Sequence, residues 1–101
     1  MRRGALMLDT RSHEQRVEHG VVPGALRMHR NVLEWRVAPS SEYRDPRVAR
    51  CGAEIIVMCH EGYSSSLAAA SLQSLGVARA TDLAGGFLAW RDAGLPVQPF
   101  R

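Results

Sequence analysis

The run Ile55-Ile56-Val57-Met58 constrains the fold more than any other segment, because it is apolar, rich in β-branched side chains, and free of charge, Gly and Pro. Such a run favours an extended strand buried on both faces, which belongs at the middle of a sheet. Cys59 follows at once. Ser64-Ser65-Ser66 then open a helix on which Leu67, Ala68, Ser71, Leu72 and Leu75 share one arc, with Gly76 in the stop position. Upstream, Ala5-Leu6-Met7-Leu8 reads as a second buried strand. Ser12 and Gln15 have capping-box spacing at the start of a short, solvated helix over His13 to His19, which Gly20 ends. After a Pro23-Gly24 turn, Ala25 to Met28 suits a brief strand, Arg30 to Val37 a short helix, and Pro39 to Pro46 a loop. Ala80 to Leu83 is a further strand, Gly85-Gly86 a turn, and Phe87 to Ala93 a last helix ended by Gly94 and Pro96. Strands alternating with helices predict an α/β fold, a parallel sheet covered on both sides.

A chain of 101 residues supports one domain, 1–101, with a single modest core, which excludes multi-lobed enzymes. The net charge is +3, and every basic residue is an Arg, scattered from Arg2 to Arg101 without a run. No nucleic-acid partner is expected from that pattern. No stretch approaches the roughly 18 apolar residues of a spanning helix, and the residues after Met1 lack a secretion pattern, so no membrane partner is expected either. Cys51 and Cys59 are too few for a disulfide framework and lack Cys-x-x-Cys spacing. A reducing, cytoplasmic setting follows.

Ligands of open parallel sheets gather beyond the carboxyl ends of the strands, which points to Cys59–Ser65 and to Asp9-Thr10-Arg11. A thiol between a strand end and a helix N-terminus faces backbone N–H groups without helical partners, and these favour the thiolate, the attacking form of cysteine. Gly62 lets the loop curl so that its amides turn inward, and Ser64 and Ser65 can add hydroxyls or cap the helix. Cys51 precedes the central strand while Cys59 follows it, so the two lie beyond disulfide reach and Cys51 reads as structural. His60 reads as a solvated loop residue rather than the base of a Cys–His pair. His13, His19 and His29 show no metal-ligand spacing, so no metal is expected. Asp9 and Arg11 either shape the pocket electrostatically or form an ion pair that fixes the loop after the first strand. Trp35 and Trp90 suit core or covering positions better than ligand platforms.

Four pieces, in order, resemble the rhodanese-like (sulfurtransferase) domain family. They are Leu8-Asp9-Thr10-Arg11, Pro23-Gly24-Ala25, the loop from Ile56 through Cys59-His60-Glu61-Gly62-Tyr63-Ser64-Ser65, and Gly85-Gly86-Phe87-Leu88-Ala89-Trp90 with Ala93-Gly94-Leu95-Pro96-Val97. The resemblance implies a three-layer α/β/α sandwich on a mainly parallel sheet of about four or five strands. It also implies Cys59 as the nucleophile that carries sulfur as a persulfide, residues His60 to Ser65 as the substrate-binding loop, and no cofactor. The donor would be thiosulfate, polysulfide or a protein persulfide, and the acceptor cyanide, a thiol or a protein. The alternative within the family is a non-catalytic module that binds protein or senses oxidants through Cys59. Two departures stand out. Ser64 replaces the family's usual loop Arg while Glu61 adds an anion, which weakens the expectation for dianionic thiosulfate. Many members of the family have a further strand and helix ahead of the first strand, where this sequence has only Met1 to Gly4, so the expectation is a sheet edge either trimmed or covered by a partner chain, with a homodimer as the candidate. A phosphatase would need Arg six residues after the cysteine, where this chain has Ser65.

Overall fold

The computed structural model describes residues 5–51 and 54–100, with the side chains of Ala49, Arg50 and Cys51 outside the description. Strand β1 (Leu6–Asp9) leads into helix α1 (His13–His19), then β2 (Leu26–Arg27), a 3-10 turn (Arg30–Val32), α2 (Leu33–Val37) and α3 (Pro46–Cys51). The second half is β3 (Ile55–Met58), α4 (Tyr63–Ser74), β4 (Ala80–Asp82) and α5 (Gly86–Asp92). The strands form one sheet in the order β2-β1-β3-β4, every neighbouring pair parallel. Leu8 pairs with Val57 and Asp9 with Met58, so β1 and β3 end level and their following loops meet.

Alternation along the interior strands divides the core in two. Leu8, Ile55 and Val57 pack with Leu33, Val37, Val48, Ala68 and Leu72 on the side of α2, α3 and α4. Met7 and Met58 face the other way, onto Val22, Phe87 and Trp90. The result is the three-layer sandwich expected. The predicted capping box is formed: Ser12 Oγ accepts the Gln15 N–H at 3.2 Å and Gln15 Oε1 accepts the Ser12 N–H at 3.2 Å. Gly20 ends α1 at φ 87° where the returning chain crosses it, and a Cβ there would lie 2.7 Å from the Gln98 carbonyl oxygen. Trp90 is a buried covering residue whose indole donates to the Pro96 carbonyl at 2.7 Å, whereas Trp35 is half exposed against Tyr43.

Three expectations are corrected. Helix α3 begins at Pro46, at the end of the stretch read as loop. Asp45 starts it by accepting the Arg47 N–H at 2.8 Å, and its carboxylate also receives the Arg47 and Arg36 guanidinium groups. The Arg47 hydrogen bond outweighs burial and holds the Asp45 carboxyl down at about 2. The buried side of α4 is Ser65, Ala68, Ala69 and Leu72, while Leu67 and Leu75 of the predicted arc are 58% and 45% exposed. The helix is turned because Ser65 is drawn under the loop, next to the thiol. Strand β4 stops at Asp82: the Leu83 N–H still makes the last rung to the Val57 carbonyl at 3.0 Å, but the Leu83 carbonyl already accepts the Gly86 N–H at 2.9 Å in the turn that follows. Cys51 ends α3, but its side-chain setting lies outside the described residues.

Candidate active site

Cys59 follows the last residue of β3, and its side chain is 7% exposed at the floor of the 59–65 loop. Its Sγ lies 3.0 Å from the Gly62 nitrogen and 3.4 Å from the Ser65 nitrogen, both backbone donors, and 3.2 Å from Ser65 Oγ. Burial, the largest influence, pushes the thiol up. The Ser65 and Ser64 hydroxyls and the Ser65 and Gly62 N–H groups together outweigh it, so the net direction is below the ordinary thiol range. The sulfur is buried, yet the amides turn toward it.

That curl depends on glycine. Gly62 sits at φ 97° immediately before α4, and a Cβ on it would approach the Gly85 nitrogen to 2.8 Å. Gly86, at φ 64°, lies so close beneath the loop that a Cβ would stand 2.6 Å from the Cys59 carbonyl oxygen and 2.7 Å from the Gly62 nitrogen. The first N–H groups of α5 are spent on the loop: Phe87 donates to the Cys59 carbonyl at 2.8 Å and Leu88 to the His60 carbonyl at 3.1 Å. Gly86 and Phe87 are therefore scaffold residues of the site. Reading the Gly-Gly pair only as a turn misses this, although the doublet ahead of an apolar helix was the available signal.

A family model described as the rhodanese-like domain matches residues 1–93. This chain belongs to the rhodanese-like domain family. It is 28% identical over 92 residues to a sulfurtransferase of Allochromatium vinosum, covering 91% of this chain and 77% of that one. Among solved structures, a Rhodopseudomonas palustris protein of unknown function, described as a possible tyrosine phosphatase, superposes with a TM-score of 0.86 at 31% identity, over 95% of this chain and 72% of that one. A rhodanese-like domain from Anabaena superposes with a TM-score of 0.69 at 26% identity, over 92% and 97% of the two chains.

In this rhodanese-like domain the loop opens on a cleft of about 250 Å³ lined by Cys59, His60, Glu61, Tyr63 and Ser64 on one side. Thr10, Arg11, Ser12 and Gln15 form the other wall. Ser12 and Gln15 were legible only as helix caps, yet capping leaves them at the carboxyl end of β1 and hence at the cleft. Thr10 ties the walls together, its N–H and hydroxyl both donating to the Met58 carbonyl at 2.9 and 3.0 Å. Gly62 and Ser65 do not line the cleft; both serve the sulfur from behind.

Asp9 and Arg11 form the fixing ion pair of the two arrangements expected. Both are buried, Arg11 Nη2 lies 2.9 Å from Asp9 Oδ2 and 2.8 Å from the Gly20 carbonyl, and the guanidinium covers the Phe87 ring at 3.9 Å. Arg16 joins Asp9 from the side at 3.4 Å. His60 corrects the reading of a solvated loop residue: its ring is 4.8 Å from His19 and nearly parallel to Phe87, and its Nδ1 is buried without a partner among the described residues. Desolvation first, then the neighbouring His19 and Arg11, push its pKa below the ordinary imidazole value. Among the described residues no group of three His, Cys, Asp or Glu side chains is placed to hold a metal, and no helix is long and apolar enough to cross a membrane.

Proposed function

We propose that the protein is a sulfurtransferase that moves a sulfane sulfur from a donor to a thiophilic acceptor through a persulfide on Cys59. The observation that carries this is the set of neighbours of Sγ, two backbone N–H groups and one hydroxyl with no imidazole among its bonded partners. Acyl transfer needs a general base and then an acid for the leaving amine. Attack on a sulfur–sulfur bond needs neither, because the leaving sulfite, thiolate or shortened polysulfide departs with its own negative charge. A thiolate held ready by dipoles suits the second chemistry.

In the first step the Cys59 thiolate attacks the outer sulfur of the donor, the donor's sulfur–sulfur bond breaks, and the leaving group keeps that electron pair. In the second, cyanide or a thiolate removes the outer sulfur and the Cys59 thiolate returns. A reducing, cytoplasmic compartment would keep the thiol in this form. Likeness to the Allochromatium sulfurtransferase supports the reading. The phosphatase description of the Rhodopseudomonas relative is not carried over, because the buried Ser65 stands where a phosphatase would need a guanidinium to grip phosphate. Glu61 on the exposed wall and Ser64 in place of a cation disfavour a small dianion such as thiosulfate as the donor. Intact mass after incubation with thiosulfate, mercaptopyruvate or polysulfide tests the proposal: the expected result is a gain of one sulfur, absent in Cys59→Ser. No adduct with any of the three would remove the enzyme and leave the binding or redox-sensing module.

A further inference from the structure

Helix α4 contains no charged residue, in a chain of which 23% is charged. At about 100° per residue, Tyr63, Leu67, Ala70 and Ser74 fall within about 60° of one another, opposite the buried Ser65, Ala68 and Leu72. All four are exposed, Tyr63 at 78% and Leu67 at 58%. A helix face that meets only water usually carries Lys, Arg and Glu. The face lacks charge, as the centre of an interface does, and begins with a Tyr, a residue type enriched there.

The stripe starts at the thiol, because Tyr63 also lines the cleft. Twelve residues rise about 18 Å and a helix face is about 10 Å wide, so the stripe offers about 200 Å², well short of the roughly 800 Å² per partner of a stable interface. That footprint suits a transient partner better than a permanent second copy. The charged side chain exposed at the cleft is Glu61, since Arg11 is buried against Asp9. A segment entering here is favoured if it carries positive charge near its tip.

We propose that α4 and the cleft dock a cysteine-bearing segment of a protein sulfur acceptor, with apolar side chains on Leu67 and Ala70, a cation facing Glu61, and its cysteine over Cys59. This rests on the sulfurtransferase reading above. The acceptor thiolate attacks the outer sulfur of the Cys59 persulfide, a sulfur–sulfur bond forms on the acceptor, and the bond to Sγ breaks. The outer sulfur moves with its proton, and Cys59 leaves as the thiolate with the electron pair, so no outside oxidant or reductant takes part.

The test uses the full chain, loaded with polysulfide, and two acceptors: cyanide, and the blocked peptide Arg-Leu-Cys-Leu-Arg. The neutral double variant Leu67→Asn/Ala70→Gln lies outside the cleft. The expected result is that its rate constant toward the peptide falls about fivefold or more while thiocyanate formation stays within about twofold of wild type. The acidic peptide Glu-Leu-Cys-Leu-Glu should react more slowly than the basic one with the unaltered protein. Equal peptide rates in wild type and variant, a parallel loss with cyanide, or no preference between the peptides would each overturn the docking proposal. Self-association abolished by the double variant would also overturn it, by giving the face to a second copy. Failure of the unaltered protein to take up sulfur at all is a separate outcome, seen by mass before any acceptor is added, and would instead remove the sulfurtransferase reading.

Discussion

The ends of β1 and β3 lie side by side and each holds a polar group out of water, yet they dispose of it in opposite ways. At the end of β1, the Asp9 carboxylate meets Arg11 and Arg16, and Arg11 also satisfies the Gly20 carbonyl and covers Phe87. Of the Arg11 guanidinium nitrogens only Nη1 is without a partner among the described residues. At the end of β3, the Cys59 sulfur receives two backbone N–H dipoles and bonds the Ser65 hydroxyl at 3.2 Å, but has no counter-ion among the described residues. A charge closed by an opposite charge has its lone pairs committed and serves the fold. One held by dipoles alone is stabilised and still nucleophilic. Adjacent strand ends thus divide the labour between structure and chemistry.

Arg11→Ala should give the largest effect. It strands the buried Asp9 carboxylate with Arg16 alone, at an expected cost of about 3–5 kcal/mol of stability. Urea unfolding measures this, and a loss below about 1 kcal/mol would show that the two strand ends are not different in kind. Next, Ser65→Ala removes a hydroxyl that favours the thiolate and should raise the Cys59 pKa. The thiolate absorbance and the rate of sulfur loading would then rise at higher pH than in wild type, with the two proteins converging at alkaline pH. In the same sense, the stability that Cys59 contributes is present above the unfolded thiol pKa and lost as pH falls through its lower folded value. An unchanged profile would mean that the backbone amides hold the sulfur by themselves.

Smaller still, Ser64→Arg places a cation at the cleft and should improve KM for thiosulfate several-fold, about 1 kcal/mol, by supplying a bidentate anion partner. An unchanged or poorer KM would show that charge at this wall does not select the donor. Cys51→Ala should do nothing to turnover, and a large loss in a folded variant would tie the far end of the sheet to the chemistry.

The strand–cysteine–helix sequence was legible because three local signals coincide: the apolar run Ile55–Met58, the thiol after it and the serines that follow. The box formed by Ser12 and Gln15 was legible for the same reason, since it closes within one turn. The orientation of α4 was not, because its apolar residues are mostly Ala and Leu on several sides and no local pattern chooses the face. Sheet packing and the pull of Ser65 toward the sulfur choose it. Helix α3 is set by one Asp-Pro step and a carboxylate whose two Arg partners lie on either side of it in sequence. His60 reads as a loop residue until α5 brings Phe87 beneath it, a contact that spans 27 positions of chain.

Because Gly86 touches the loop only through main-chain atoms, the curve around the sulfur is imposed from below by backbone. The side chains at positions 60, 61 and 63 line the cleft and are not among the groups that bond the sulfur. Exchange of those three would therefore change which molecules reach the sulfur while leaving the groups that bond it in place, making this loop a socket that can be rekeyed without being recast.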